Sequence, residues 1–223
     1  MAPGLFAALA VMLLALLGIG TRFYISGDFN AIHGLLSLFF STNLVVCYWE
    51  VCLFLKRDYI ETRTEYWRTR KRETGRTPAV EFLLTRVPLR RILSPAVWAD
   101  VWATYAQVDE SFSDRRTLGF NVDVANGIFT PLPTLVLYAA FTIGFMPAVL
   151  AGILGLALSW QWAYVTSVYW ISFFLARRHR LITRSELYIY IGAMNAPWVL
   201  FALLGCYVSV RLILDDSYRV LGH

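Results

Sequence analysis

Cysteine is scarce in this chain, and its three copies, Cys47, Cys52 and Cys206, all lie in apolar runs. Their spacing offers neither a disulfide framework nor a metal-ligand set, so each reads as a small hydrophobe in the core or facing lipid. Lysine and arginine are missing before Arg22. Lacking a basic leader, the first apolar run reads as a retained span and not as a signal peptide. Internal repeats are absent too, which argues against a transporter built for alternating access. No nucleic-acid motif accompanies the basic residues, so their partner is not expected to be DNA or RNA.

What is present is hydrophobic. The chain has 223 residues, 58% of them hydrophobic, and a mean hydropathy of +0.55. Soluble domains reach only about 45–50% apolar on a wider residue set. Trp 8, Tyr 12 and Phe 15 make it rich in aromatics as well. This composition predicts an all-α integral membrane protein of one domain. A bilayer core needs about 20 apolar residues of helix. Five stretches qualify, at about 4–25, 32–55, 118–144, 147–175 and 187–214, separated by "SGDFN", "GFMP" and "RRHRLITRS".

Basic residues set the orientation. The segment 56–116 holds thirteen of the twenty Lys and Arg residues, and the loop 177–184 holds four more. With five spans both lie on one side, which the positive-inside rule makes cytoplasmic. The N-terminus follows them, and "LDDSYRVLGH" falls outside. The long loop itself reads as helical. Trp98, Trp102 and Tyr105 recur at i, i+4, i+7. Such a face suits a helix lying in the interface with its aromatics at headgroup depth, and the basic excess suits anionic lipid.

Of fifteen acidic residues, two lie inside apolar spans: Glu50 in the second and Asp123 in the third. An ionisable group in hydrocarbon is costly and marks a functional candidate, unless it snorkels to the interface. Glu50 lies about six residues, or roughly 9 Å, from its helix end. Asp123 and Asn195 reach similar depth from the same side, as do Thr166, Ser167 and Tyr169 in the fourth span. Asn43, Cys47 and Glu50 share one helical face; so do Asp123, Asn126 and Thr130, and again Asn195 and Trp198. A shared depth on four helices predicts a polar chamber, with interhelical hydrogen bonding as the blander role for Asn126 and Asn195. Pro131, Pro133 and Pro197 are expected to kink the helices around it.

Two carboxyls beside aromatics suit proton chemistry on a hydrophobic substrate. Burial favours the neutral form of a carboxyl, which can then donate a proton. Protonating an alkene gives a carbocation, and the faces of Trp49, Trp198, Tyr164 and Tyr169 are placed to stabilise it. Removal of a different proton shifts the double bond; capture by a second alkene closes a ring. Neither step needs a metal or redox cofactor.

"WATYAQVDESF" (102–112), "NVDVANG" (121–127) and "YIYIGAMNAPW" (188–198) together resemble the EXPERA-domain family, over about residues 32–214. That family includes a sterol double-bond isomerase. The resemblance implies a five-helix membrane bundle with a sterol-sized cavity opening to the bilayer. It implies that Asp123 matches the family's third-span glutamate, and that Asn126 stands where the isomerase has threonine. Asn195 and Trp198 match an asparagine and a tryptophan that line the pocket and face a cation. Tyr105 and Asp109 match a structural motif before the third span. The second span departs from the pattern: Asn43 and Cys47 stand where the isomerase has histidine and glutamate. Glu50, one turn further along the same face, is the acid available in their place.

"NLVVCYWEVCLF" (43–54) resembles instead the Trp–Glu stretch of membrane-bound terpenoid cyclases, which are expected to have seven spans. The expected activity is therefore isomerisation of a sterol- or terpenoid-like lipid, with Asp123 and Glu50 as acid and base. The rivals are cyclisation, or non-catalytic binding of a lipid or amine with Asp123 as counter-ion. The sequence also leaves room for a homodimer or a small subunit of a membrane complex.

Overall fold

A computed structural model describes residues 1–222, and among these there is no strand. Ten α-helices run in order: α1 Pro3–Ser26, α2 Ala31–Leu55, α3 Arg57–Thr74, α4 Pro78–Leu84, α5 Pro95–Tyr105, α6 Leu118–Phe129, α7 Pro131–Ile143, α8 Ala148–Leu175, α9 Arg184–Glu186 and α10 Pro197–Asp215. A π-helical segment, Leu187–Ala193, joins α9 to the turn before α10.

Four of these stretches are long and apolar enough to cross a membrane, and the bent pair α6–α7 makes a fifth if it counts as one span. On α1, Leu9, Leu13 and Leu17 are 52%, 61% and 58% exposed. Only 11% of the apolar window of α1 is buried. Bare apolar helices of this length belong in lipid, and the chain is a multi-pass membrane protein.

The chain bends at Pro131 as expected, but the prolines act by starting new helices and not by kinking continuous ones. Pro131 opens α7 and Pro197 opens α10, in the first turn, where a missing N–H costs nothing. Pro133 also falls in that first turn of α7. The chain turns by 54° between α6 and α7.

The fifth apolar stretch is likewise broken. Met194 N–H bonds Ile189 C=O, one residue too far for an α-helix, and the next regular helix begins at Pro197. This frees the Tyr190 and Ile191 carbonyls inside the protein. Side chains satisfy them: Asn195 Nδ2 donates to both, at 2.9 and 3.2 Å, and Trp170 Nε1 donates to Ile191 at 2.8 Å. Left unpaired, each would cost about 1–3 kcal/mol.

The loop 56–116 forms α3, α4 and α5, but α5 faces inward. Trp98 and Trp102 are buried, Trp98 stacks on Trp49 at 5.4 Å, and Trp102 Nε1 donates to the Trp49 carbonyl at 2.6 Å. The expectation that this aromatic face lies among headgroups is corrected: α2 covers it. Asp100 ties α3 to α5, accepting from Arg63 Nε at 2.8 Å and Trp67 Nε1 at 2.9 Å.

Small residues bring α8 and α10 together. A Cβ on Gly205 would overlap the Ser159 side chain, and one on Gly155 would overlap Ser209. Gly205→Leu is therefore expected to lower stability by about 1–3 kcal/mol or more. Thermal unfolding in detergent measures this; an unchanged midpoint would contradict the close packing.

Candidate functional site

A cavity of about 240 Å³ lies between α2, α5, α6, α8 and the break before α10. Six aromatic rings contribute to its wall: Trp49, Trp102, Tyr105, Phe112, Trp162 and Trp198. Trp102 and Tyr105 lie against Phe112 with ring centroids 5.2 and 5.0 Å apart. Two carboxyls, Glu50 and Asp123, face this cavity. Ala125, Gln161 and Met194, also in its lining, are exposed on the outer surface. The cavity therefore opens sideways, between α6, α8 and the broken fifth stretch.

The two carboxyls are held differently. Glu50 is 4% exposed and accepts a hydrogen bond from Asn126 Nδ2 at 2.7 Å. The amide of Asn126 has one possible orientation. Trp162 Nε1 can only donate, and it meets Asn126 Oδ1 at 3.1 Å, so the amide nitrogen must face Glu50. Gly127 makes this contact possible, since a Cβ there would lie 2.6 Å from Glu50 Cβ. Asp123 is partly exposed to the cavity and has no hydrogen-bond or ion-pair partner among the described residues. It is the carboxyl free to meet a ligand.

From Glu50 a polar seam runs through the bundle. Thr130 Oγ1 lies 3.3 Å from Cys47 Sγ, and Asn43 Nδ2 lies 3.4 Å from Thr134 Oγ1. Trp198 Nε1 donates to Asn43 Oδ1 at 2.9 Å, which fixes the second amide as Trp162 fixes the first. The indole N–H of Trp198 is thus committed, and its ring is what the cavity sees.

Of the residues singled out from the sequence, Trp49, Glu50, Tyr105, Asp123, Asn126, Asn195 and Trp198 line one cavity. Asn43 stands behind the wall, orienting Trp198. Asn195 serves two purposes, because its Nδ2 also bonds the Tyr105 hydroxyl at 3.1 Å. Tyr164 is a correction: it is 56% exposed and stacks on Trp160 away from the cavity. At 100° per residue it points about 200° from Trp162, to the other side of α8. Tyr169 is corrected too. It is buried behind Phe112, and its hydroxyl donates to Asp109 Oδ2 at 2.8 Å. Asp109 also accepts from Arg178 at 2.6 Å and from Ser111 N–H at 3.0 Å, holding the loop that carries Phe112.

Sequence reasoning did not assign Trp162, Gly127 or Phe112 to the site. A signal existed for Trp162, which lies one turn before Thr166 on the same face of α8. None existed for Gly127, whose role depends on how closely α2 approaches. No group of three or more His, Cys, Asp and Glu side chains gathers as a metal site among the described residues. No family model, curated protein or solved structure matches the chain.

Proposed function

We propose that the protein is a membrane isomerase that moves a double bond in a sterol- or terpenoid-like lipid. The observation that carries this reading is the pairing of an unpartnered carboxyl, Asp123, with an anchored one, Glu50, in one aromatic cavity. The cycle proceeds from the state with one proton on the pair, carried by Asp123, while Glu50 accepts the Asn126 amide hydrogen bond as a carboxylate. Asp123 gives its proton to one alkene carbon, and a C–H bond forms. Positive charge develops on the neighbouring carbon, facing the indoles of Trp49, Trp102 and Trp198. Glu50 then removes a proton from the next carbon, and the electron pair of that C–H bond becomes the new double bond. Exchange with solvent, in which Glu50 releases its proton and Asp123 takes up another, resets the site.

The cavity's 240 Å³ falls below the roughly 300–1,000 Å³ that encloses a drug-sized ligand. Only the reacting part of the lipid enters; the rest extends past Ala125, Gln161 and Met194 into the bilayer. On this reading the chain spans the membrane five times, α3 and α4 lie along the interface, and both basic segments and the N-terminus face the cytoplasm. The resemblance to the EXPERA-domain family points the same way.

A second reading, cyclisation, is favoured by one feature: Trp49 and Glu50 of the cyclase-like stretch both line the cavity. The products separate the two. Purified protein is incubated in D₂O with a panel of sterol and polyprenyl alkenes. Isomerisation puts one deuterium on the carbon that Asp123 protonates and keeps the number of rings. A deuterated product with a new ring favours the cyclase. No conversion of any alkene, with tight Asp123-dependent binding of a hydrophobic amine, would replace both with a binding protein.

A further inference from the structure

A second cleft, about 390 Å³, lies on the other side of the segment that walls the apolar cavity. Tyr105 and Phe112 point into the cavity, while the intervening Gln107, Val108 and Glu110 line the cleft. Four cations converge on it. Arg68, Lys71 and Arg72 share one face of α3, and Arg178 comes from the loop after α8.

These cations are built in to different degrees. Lys71 Nζ is fixed by Glu186 Oε1 at 2.6 Å and the Gln107 carbonyl at 3.1 Å. Arg178 is fixed by Asp109 and by Ser172 Oγ at 3.3 Å. The carboxylates that anchor them are 7% and 0% exposed, so they sit behind the cations and orient them. Arg72 has no hydrogen-bond or ion-pair partner among the described residues. Arg68 pairs only with Glu65, an exposed contact that an incoming anion displaces at little cost. Glu110 opposes at the rim, which leaves the arginine side as the binding edge.

The cleft also has an apolar edge, Leu181 and Ile182, placed where the chain leaves α8 and returns to the fifth apolar stretch. Arginine forks, a fixed ammonium and an apolar edge at the mouth of two spans match a phosphate joined to a hydrophobic body. We infer that this cleft binds the phosphate of an anionic lipid headgroup. Basic pockets at the ends of spanning helices are suited to such groups. The inference stands apart from the isomerase reading, because it uses none of the cavity's residues.

The test measures binding to full-length protein in neutral detergent. The probes are dioleoyl phosphatidic acid, dioleoyl phosphatidylcholine and inorganic phosphate, read by native mass spectrometry and by the shift in unfolding temperature. The double variant Arg68→Ala/Arg72→Ala is compared with Arg90→Ala/Arg91→Ala, which removes the same charge from an exposed turn outside the cleft. Phosphatidic acid is expected to bind the wild type and the Arg90/Arg91 variant within about threefold of each other, and the Arg68/Arg72 variant about tenfold or more weakly. Phosphatidylcholine is expected to give no comparable shift. Inorganic phosphate binding as tightly as phosphatidic acid would overturn the lipid assignment in favour of a soluble phosphate ligand. Equal losses in both variants, or equal shifts from the two lipids, would overturn the site itself.

Discussion

Asp123→Asn is expected to lower turnover of the lipid substrate by about 100- to 10,000-fold, the range supplied by a positioned proton donor. The amide keeps the shape of the carboxyl but has no acidic proton to give. Because Asp123 has no partner to lose among the described residues, the fold should hold. Stability is expected to stay within about 0.5 kcal/mol of the wild type. That combination separates chemistry from structure. Glu50→Gln differs, since Glu50 is hydrogen-bonded to Asn126 and its replacement disturbs the seam that runs to Trp198. Initial rates of both variants, measured beside their unfolding temperatures, check this. An Asp123→Asn protein that keeps wild-type turnover would remove Asp123 from the proton transfer.

The largest stability effect is expected at Asp109→Ala, at about 3–5 kcal/mol. The Asp109 side chain is fully buried and that of Arg178 is 11% exposed. Truncation leaves a buried guanidinium without its counter-charge and a buried Tyr169 hydroxyl without its acceptor. Asp109→Asn, which still offers an acceptor to Tyr169, is expected to lose less. Denaturant unfolding in detergent gives the comparison. A cost below about 1 kcal/mol for the alanine variant would mean that the pair is not the brace described here. The same substitution should loosen Phe112 and, through it, one wall of the apolar cavity.

Much of the membrane architecture is legible in the sequence, because apolar length is a strong and local signal. The apolar stretches at 4–25, 32–55 and 147–175 match α1, α2 and α8 closely. Faces were legible as well: the spacing of Asn43, Cys47 and Glu50 follows from helix geometry alone. The breaks were not. Pro131 and Pro197 announce a disturbance, but a proline serves equally as a kink or as the first residue of a new helix. Which one occurs depends on whether side chains such as Asn195 and Trp170 cover the freed carbonyls.

Aromatic faces carry a similar ambiguity. Trp98, Trp102 and Tyr105 fit headgroup depth and a protein interior equally well, and only the packing of α5 on α2 decides. Tyr164 and Tyr169 both suit the cation-facing wall by residue type, yet rotation about α8 sends one outward and the other behind Phe112. Pairings such as Trp162 with Asn126, on separate helices, have no local signal at all. They nevertheless fix how Glu50 is held.

The most direct measurement is the position of a bound hydrophobic amine, a stable mimic of the carbocation, in a structure determined in lipid. The nitrogen is expected within about 4 Å of the Asp123 carboxyl and within about 6 Å of the rings of Trp49, Trp102 or Trp198, with the tail leaving past Met194. An amine found instead in the separate apolar groove that Ser167, Trp170, Ile171, Phe174 and Leu175 form on α8, with the cavity beside Asp123 unfilled, would contradict the account.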